Sequence, residues 1–146
     1  MKLAILLMLL APAALANESD RLYPLINQNQ VDGSGCSFWL AQSGGKKDYF
    51  QWDFLTDAWI NLGASDVKLT LLNDSRASDP QDQLALGRGH KLEFTGPSIR
   101  VVLRTKVTWV CPGNDESCEA WHEAGEIRVE FGKRVILSRV KGICGS

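Results

Sequence analysis

The sequence has no excess of charge of either sign and only one long run of apolar residues. Sixteen basic side chains stand against 17 acidic ones, which leaves a formal net charge of −1. Binding to nucleic acid depends on neutralising phosphates, so this balance gives no reason to expect a nucleic acid as partner. Hydrophobic residues make up 45% of the chain and charged residues 23%. These values are ordinary for a globular domain and exclude a disordered tail or a fibrous repeat.

The apolar run lies at the N-terminus and is too short to cross a membrane. It extends from Leu3 to Leu10, after Met1 and Lys2, and Ala11–Ala16 follows it, whereas a spanning helix needs roughly 20 residues. A basic start, an apolar centre and an exit of small residues are typical of a secretory signal peptide. We therefore expect a cleaved signal peptide over residues 1–16, one domain over residues 17–146, a periplasmic or secreted product, and no stable membrane insertion after cleavage.

Helical periodicity is scarce, and a period of two residues dominates. Along Ile99–Trp109, the odd positions are mainly apolar and the even ones mainly polar or basic, as expected for a strand with one face in the core. Short strands at close spacing predict an all-β fold, a single antiparallel β-barrel or β-sandwich. The predicted strands cover residues 37–42, 48–54, 59–62, 67–72, 90–95, 98–110, 119–131 and 135–140, with a short helix between residues 17 and 30 and an irregular loop over Asn73–Gly89.

Charge patterning predicts the register between the strands over 98–110 and 119–131. If the numbers of paired residues sum to 230, the apolar faces coincide, and Arg100 and Arg104 lie opposite Glu130 and Glu126. A shift by two residues would instead place an arginine opposite Arg128, which like-charge repulsion disfavours. The further pairs that this register predicts are Trp109 with Trp121 and Thr108 with His122.

Four cysteines, all within residues 17–146, predict two disulfides in an oxidising compartment. The turn-forming run between Cys111 and Cys118 favours their pairing, which leaves Cys36 with Cys144. The two other pairings stay open, because connectivity does not follow from sequence. Structural zinc sites use cysteines two to four residues apart, a spacing that is absent here. We expect no metal and no cofactor.

Several short motifs resemble those of a known group of proteins. They are Gly35-Cys36 at the first strand, Val107–Cys111, Glu116–Glu119, and Gly142–Gly145 at the end of the chain. With these motifs the chain resembles a group of small secreted bacterial proteins of uncharacterised function. The resemblance implies an exported, disulfide-bonded β domain and implies no activity.

Residue patterns that support catalysis are few. No Gly-x-Ser-x-Gly elbow and no phosphate-binding loop occurs. The two histidines, His90 and His122, are expected on strands, and Asp53 and Asp57 are candidates for a carboxylate pair by residue type alone. The acidic run over residues 114–123 lacks a calcium-loop pattern and is interpreted as a solvated turn. We expect no catalytic residues.

The five tryptophans offer two interpretations. Neighbouring Phe38 and Trp39 must point to opposite faces of a strand. Tryptophans that fill the barrel are favoured over an exposed surface for sugar stacking. The leading hypothesis is a non-catalytic exported module of the cell envelope that binds an envelope or extracellular protein or a carbohydrate, for example as an inhibitor of an enzyme. The alternatives are a hydrolase with carboxylate or histidine chemistry and a small-ligand carrier, which requires a hollow barrel.

Overall fold

The computed structural model describes residues 21–78, 84–113 and 117–145. The predicted signal peptide lies outside these residues. The described chain contains one short 3-10 helix, Ser75–Ser78, and eight strands. The strands are β1 (Gly35–Leu40), β2 (Phe50–Trp52), β3 (Asp57–Asn61), β4 (Asp66–Asp74), β5 (Gly89–Gly96), β6 (Ile99–Val110), β7 (Ala120–Phe131) and β8 (Arg134–Gly145).

The eight strands form a closed antiparallel barrel. Each strand pairs with the next along the chain, and β8 pairs with β1. All eight predicted strands are present, and the open choice between barrel and sandwich resolves to a barrel. Closure matters because it leaves no unpaired sheet edge to associate with other chains.

The segment before β1 is not helical in its described part, residues 21–30, so the predicted helix is wrong there; residues 17–20 lie outside the description. Leu22 and Leu25 are buried, and Tyr23 forms a bridge with Asn61 on β3. The carboxylate of Asp66 accepts hydrogen bonds from the backbone N–H groups that follow Leu25. The segment is therefore held against the barrel, because its apolar side chains and its N–H groups both find partners there.

Aromatic rings fill the interior. The largest fully buried side chains include Phe38, Phe50, Trp52 and Phe94. The ring of Phe94 lies 5.3 Å from that of Phe50 and 6.0 Å from that of Trp52, in edge-to-face arrangements. Burying each ring contributes roughly 1.5–3 kcal/mol. The prediction that tryptophans fill the barrel is confirmed for Trp52.

The predicted register between β6 and β7 is confirmed over most of their length. Pairs from Ile99–Phe131 to Val107–Glu123 follow it. A bulge then leaves Thr108 without a partner, so Trp109 lies opposite His122 and not opposite Trp121. The predicted pairs beyond Val107 are therefore wrong, because a bulge inserts one residue and shifts every later pair.

Two disulfides fasten the barrel, and both predicted pairs are confirmed. Cys36–Cys144, hereafter the closure disulfide, joins facing residues of β1 and β8 with a Cα–Cα distance of 4.1 Å. Cys111–Cys118, the hairpin disulfide, closes the connection between β6 and β7. The first of these spans 108 residues of sequence and therefore constrains nearly the whole domain.

The irregular stretch between β4 and β5 is shorter than predicted. Strand β4 continues to Asp74 and is followed directly by the 3-10 helix, and β5 begins at Gly89. A register shift between Leu71 and Asn73 lets the end of β4 keep pairing with β5. Residues 79–83 of this stretch lie outside the described residues.

Candidate functional site

Basic side chains gather on the outer face of the barrel across β5, β6, β7 and β8. One row of paired residues runs Lys91–Arg104–Glu126–Arg139 across the four strands. The next row runs Gly89–Lys106–Ala124–Lys141. The charged residues alternate with core residues such as Leu103, Ile127 and Val140, which places them on the outer face. Five basic residues and one acidic residue thus occupy two adjacent rows.

Four of these cations are unpaired. Arg104, Lys106, Arg139 and Lys141 are all exposed, and none makes an ion pair or a side-chain hydrogen bond with the described residues. The fifth, Lys91, pairs with Glu93. In a chain whose total charge is close to zero, such a concentration of unbalanced positive charge marks a surface suited to anions.

The predicted register partners Arg100 with Glu130 and Arg104 with Glu126 are confirmed, but neither pair forms an ion pair in the described chain. Arg104 and Glu126 are register partners but do not form an ion pair. Arg100 bonds to Glu93 on β5 at 2.7 Å rather than to Glu130 on β7, which pairs with Arg128. A surface side chain is free to choose the neighbour on either side, and each exposed pair contributes only about 0–1 kcal/mol.

The two rows line a groove of ≈ 730 Å³. All five basic residues and Glu126 border it, together with the small residues Gly89, Ala124 and Gly125. Its volume lies within the range of about 300–1,000 Å³ that is usual for small-molecule pockets. We refer to it as the basic groove.

Gly125 brings β6 and β7 unusually close together beneath the groove. A Cβ atom at this position would lie 1.9 Å from the carbonyl oxygen of Arg104 and 2.7 Å from the Cα of Thr105. No side chain is compatible with this approach, so glycine is required. This close approach of the two strands sets Arg104 beside the middle of β7. Sequence reasoning missed this residue, although a glycine inside a strand pattern is a signal of close backbone approach.

A buried polar network adjoins the groove. Both oxygens of the Glu123 carboxylate are occupied: Oε1 lies 3.0 Å from His90 Nδ1 and accepts a hydrogen bond from Trp121 Nε1 at 2.9 Å, and Oε2 accepts one from Thr105 Oγ1 at 2.5 Å. The side chains of His90 and Glu123 are 3% and 2% exposed. Of the four, His90 and Thr105 also line the groove.

The hydrogen bonds decide the charge state of Glu123. Burial raises the pKa of its carboxyl, but the hydrogen bonds from His90, Thr105 and Trp121 outweigh burial and hold the pKa below the ordinary value of 4.5. The carboxylate is therefore ionised at neutral pH although it is buried. Such a group is stable only because all its partners are in place.

A second cluster closes the barrel at the end where the β2–β3, β4–β5 and β6–β7 connections lie. The guanidinium of Arg76 lies 4.2 Å from the ring centre of Trp52 and bonds to the carboxylate of Asp74. Phe54 stacks on Trp121 with 5.4 Å between ring centres, and its φ of 64° is unusual for a bulky residue. The buried Nε1–H of Trp52 finds no hydrogen-bond partner among the residues that the structure describes. Close ring packing thus takes precedence over polar satisfaction at this end.

The predicted catalytic candidates Asp53, Asp57 and His122 all make local contacts. Asp53 accepts hydrogen bonds from two backbone N–H groups of the turn after β2, whereas Asp57 pairs with Lys68 at 2.6 Å. Their role as a carboxylate pair is not supported, because both are engaged in local contacts. The ring of His122 packs against that of Trp109 at a tilt of 42°, with ring centres 4.9 Å apart.

Of the other predicted features, some lie within the residues that the structure describes and some lie outside them. Phe38 lies inside the barrel and Trp39 on its outside. In the acidic run over 114–123, residues 114–116 lie outside the described residues. Elsewhere in the described chain, no three His, Cys, Asp or Glu side chains converge as potential metal ligands.

No protein-family model, curated protein or solved structure matches this chain. Among the residues that the structure describes, no helix has the length and apolar character needed to cross a membrane.

Proposed function

We propose that this protein is a non-catalytic, exported interaction module that binds anionic groups of an envelope or extracellular partner in the basic groove. The observation that carries the proposal is the set of four exposed and unpaired cations, Arg104, Lys106, Arg139 and Lys141, around one concave surface. The partner is a protein or a carbohydrate with acidic groups. Inhibition of an envelope or extracellular enzyme is one way in which such a module would act.

Export is part of the same proposal. Two closed disulfides support it, because disulfides persist in oxidising compartments and are rare in the cytosol. The signal-peptide pattern of residues 1–16 and the resemblance to small secreted bacterial proteins point in the same direction. The cations would then meet anionic partners without competition from nucleic acid.

Charge reversal in the groove tests the proposal. We compare the double variant Arg104→Glu/Lys141→Glu with the control Lys47→Glu/Lys133→Glu, which alters two exposed lysines elsewhere on the barrel. Both variants change the net charge equally. The readout is the salt concentration that elutes each protein from immobilised polyglutamate and from a sulfated polysaccharide.

We expect the groove variant to elute at much lower salt than the unaltered protein, because neutralising anions by cations makes binding strongly dependent on salt. The control should elute close to the unaltered protein. Equal shifts for the two variants would contradict the proposal, because retention would then report net charge and not the groove.

A hydrolase is the second candidate function, and the contact between His90 and Glu123 is the observation that favours it. In hydrolytic triads, a carboxylate at Nδ1 orients the histidine ring and stabilises its protonated form. Against it, both side chains are buried and the Thr105 hydroxyl donates to Glu123 rather than facing the groove. Turnover of a panel of model esters and glycosides that is abolished by His90→Gln, with folding retained, would support this function. Turnover that is unchanged by the substitution would exclude this pair as its source.

A carrier that holds its ligand inside the barrel has less support. The rings of Phe38, Phe50, Trp52 and Phe94 occupy the interior and pack against one another. A ligand would have to displace several of these rings, at about 3–5 kcal/mol for each large cavity that is opened in the core.

A further inference from the structure

The four unpaired cations of the basic groove form a rectangle around three residues of β7, Ala124, Gly125 and Glu126. Arg104 and Lys106 are two residues apart on β6, and Arg139 and Lys141 are two residues apart on β8. Strand β7 runs between them, so the two walls lie about 10 Å apart and the cations within each wall about 7 Å apart. Ala124 on β7 lies in the row between Lys106 and Lys141.

The floor of the rectangle leaves room for a ligand group. Ala124 and Gly125 have little or no side chain, and Glu126 stands in the row between the two arginines without an ion pair to either. The two walls of long side chains flank this small floor. A group seated there is bordered by the four cations, with Glu126 on one side.

We propose that this rectangle binds a phosphate monoester or diphosphate group of the ligand, with Ala124 as the residue that keeps the seat open. The inference rests on the proposed function, since it names the chemistry of the anion that the groove takes. A carboxylate carries one charge and two oxygens, which is too little to engage four cations. A phosphate monoester carries a charge of about −1.5 to −2 and three terminal oxygens.

The residue types support the same choice. The guanidinium groups of Arg104 and Arg139 present planar, two-pronged donors that match phosphate oxygens. The lysines Lys106 and Lys141 add compact charges at the other end of the rectangle.

The phosphate has two possible sources, a lipid headgroup and a free phosphorylated compound. The outward residues of β8 continue from Arg139 and Lys141 to the exposed apolar side chains Leu137 and Ile143, which are 60% and 41% exposed. An apolar chain attached to the phosphate would find contacts there. An experiment with one arm for each source distinguishes them.

Binding of inorganic pyrophosphate and of succinate is measured by calorimetry at matched ionic strength, for the unaltered protein and for Ala124→Glu and Ala124→Ser. We expect pyrophosphate to bind at least about tenfold more tightly than succinate, which is the equivalent of one charge-assisted hydrogen bond. Ala124→Glu places a carboxylate among the cations and should weaken pyrophosphate at least about tenfold. Ala124→Ser keeps the seat open and should bind like the unaltered protein. Denaturant midpoints confirm that both variants fold.

The vesicle arm compares vesicles of phosphatidic acid, a phosphate monoester, with vesicles of phosphatidylglycerol, a diester, at equal charge density. Preferential binding to phosphatidic acid that Ala124→Glu removes and pyrophosphate displaces supports the site with a lipid source. Binding of pyrophosphate without binding to vesicles supports the site with a soluble source.

Two results would overturn the inference. If succinate and pyrophosphate bind equally well, the groove takes anions without preference for phosphate, and the proposed function survives while the inference fails. If pyrophosphate binds but Ala124→Glu leaves its affinity unchanged, the phosphate lies elsewhere. Failure of the charge-reversal test on polyanions, by contrast, would remove the proposed function itself.

Discussion

Replacing Glu123 by glutamine should destabilise the barrel far more than any exposed carboxylate replacement. The side chain is 2% exposed, and its two oxygens accept from His90, Thr105 and Trp121. Glutamine preserves the shape but exchanges one acceptor oxygen for an amide nitrogen that only donates. The Thr105 hydroxyl can rotate to accept from that nitrogen, so the three contacts persist but lose the assistance of the negative charge.

The expected loss follows from the three bonds. Each of the three contacts loses its charge assistance, at about 1 kcal/mol each. The sum is about 3 kcal/mol, at the lower end of the cost of breaking a buried charged pair. Because a domain of this size is stable by about 5–15 kcal/mol, the variant should lose a large share of its stability.

Acid should narrow the difference in stability between the unaltered protein and the Glu123→Gln variant. The pKa of the Glu123 carboxyl is held below 4.5 in the folded state by its hydrogen bonds, so in acid the unfolded chain takes up this proton first. The contribution of the carboxylate is therefore complete above pH 4.5 and is lost as the pH falls through the lower pKa of the folded state. Glutamine does not titrate, so its stability lacks this dependence.

Urea denaturation at pH 7 and at about pH 3, followed by tryptophan fluorescence, measures both effects. Glu130→Gln is the matched control, since Glu130 is 40% exposed at its side chain and pairs only with the exposed Arg128. We expect it to change stability by less than about 1 kcal/mol. A loss below about 1 kcal/mol for Glu123→Gln at pH 7 would refute the reasoning. So would a difference that grows in acid.

Three further outcomes are expected. Replacing both cysteines of one disulfide by serine should lower the free energy of unfolding by about 4.8 kcal/mol for the closure disulfide and by about 2.4 kcal/mol for the hairpin disulfide, which close loops of 108 and 7 residues. Denaturation curves that rank the two variants the other way would contradict the loop-entropy argument. Gly125→Ala should lower the free energy of unfolding by about 3 kcal/mol or more, because the added carbon meets the backbone of β6. Gly113→Ala has nothing within 4 Å of the added carbon and should be close to neutral. Equal denaturation midpoints for the two variants would argue against the close approach of β6 and β7. In an NMR titration Glu93 should show a pKa of about 2, because Lys91 and Arg100 both bond to it, and Lys91→Met should raise that pKa; an unchanged midpoint would remove Lys91 as a cause.

The strands could be predicted because one face of each lies in the core. Along β6, buried Val101 and Leu103 alternate with exposed Arg100 and Arg104, and that alternation is already legible in the sequence. The register with β7 followed from it, since a slip by one residue would turn core side chains outward. The bulge at Thr108 could not be predicted, because a bulge depends on local twist and leaves the composition of both strands unchanged.

The buried polar network has a signal in the sequence of β7. Glu123 shares its parity on β7 with the core residues Ile127 and Val129, so the pattern alone places a carboxylate toward the interior. Its main partner His90 is 33 positions away in sequence. Their meeting requires β6 between β5 and β7 in a known register, and only the register between β6 and β7 was derived.

The basic groove lies beyond sequence reasoning for a related reason. Its rows exist only when four strands are aligned at once, so Lys91 and Arg139, far apart in the chain, come to flank the same surface. The register between β6 and β7 sets Arg104 opposite Glu126 and so gives no sign that its charge is unpaired. In the fold the two are neighbours without an ion pair.

The middle of β7 is poorly suited to be a strand, and this bears on function. Ala124 and Gly125 are residue types depleted in strands, and a glycine there costs about 0.5–1 kcal/mol relative to alanine. Glu126 leaves two adjacent arginines without an ion pair. Each departure from good strand design is small, but all fall within three residues, between two walls of exposed cations. Local rules of stability are typically broken where a protein binds its ligand. A larger residue at position 124 would cover the floor of the groove, and a side chain at position 125 would force β6 away from β7. The residues that weaken this strand therefore also keep the floor of the groove open and hold its two walls of cations close together.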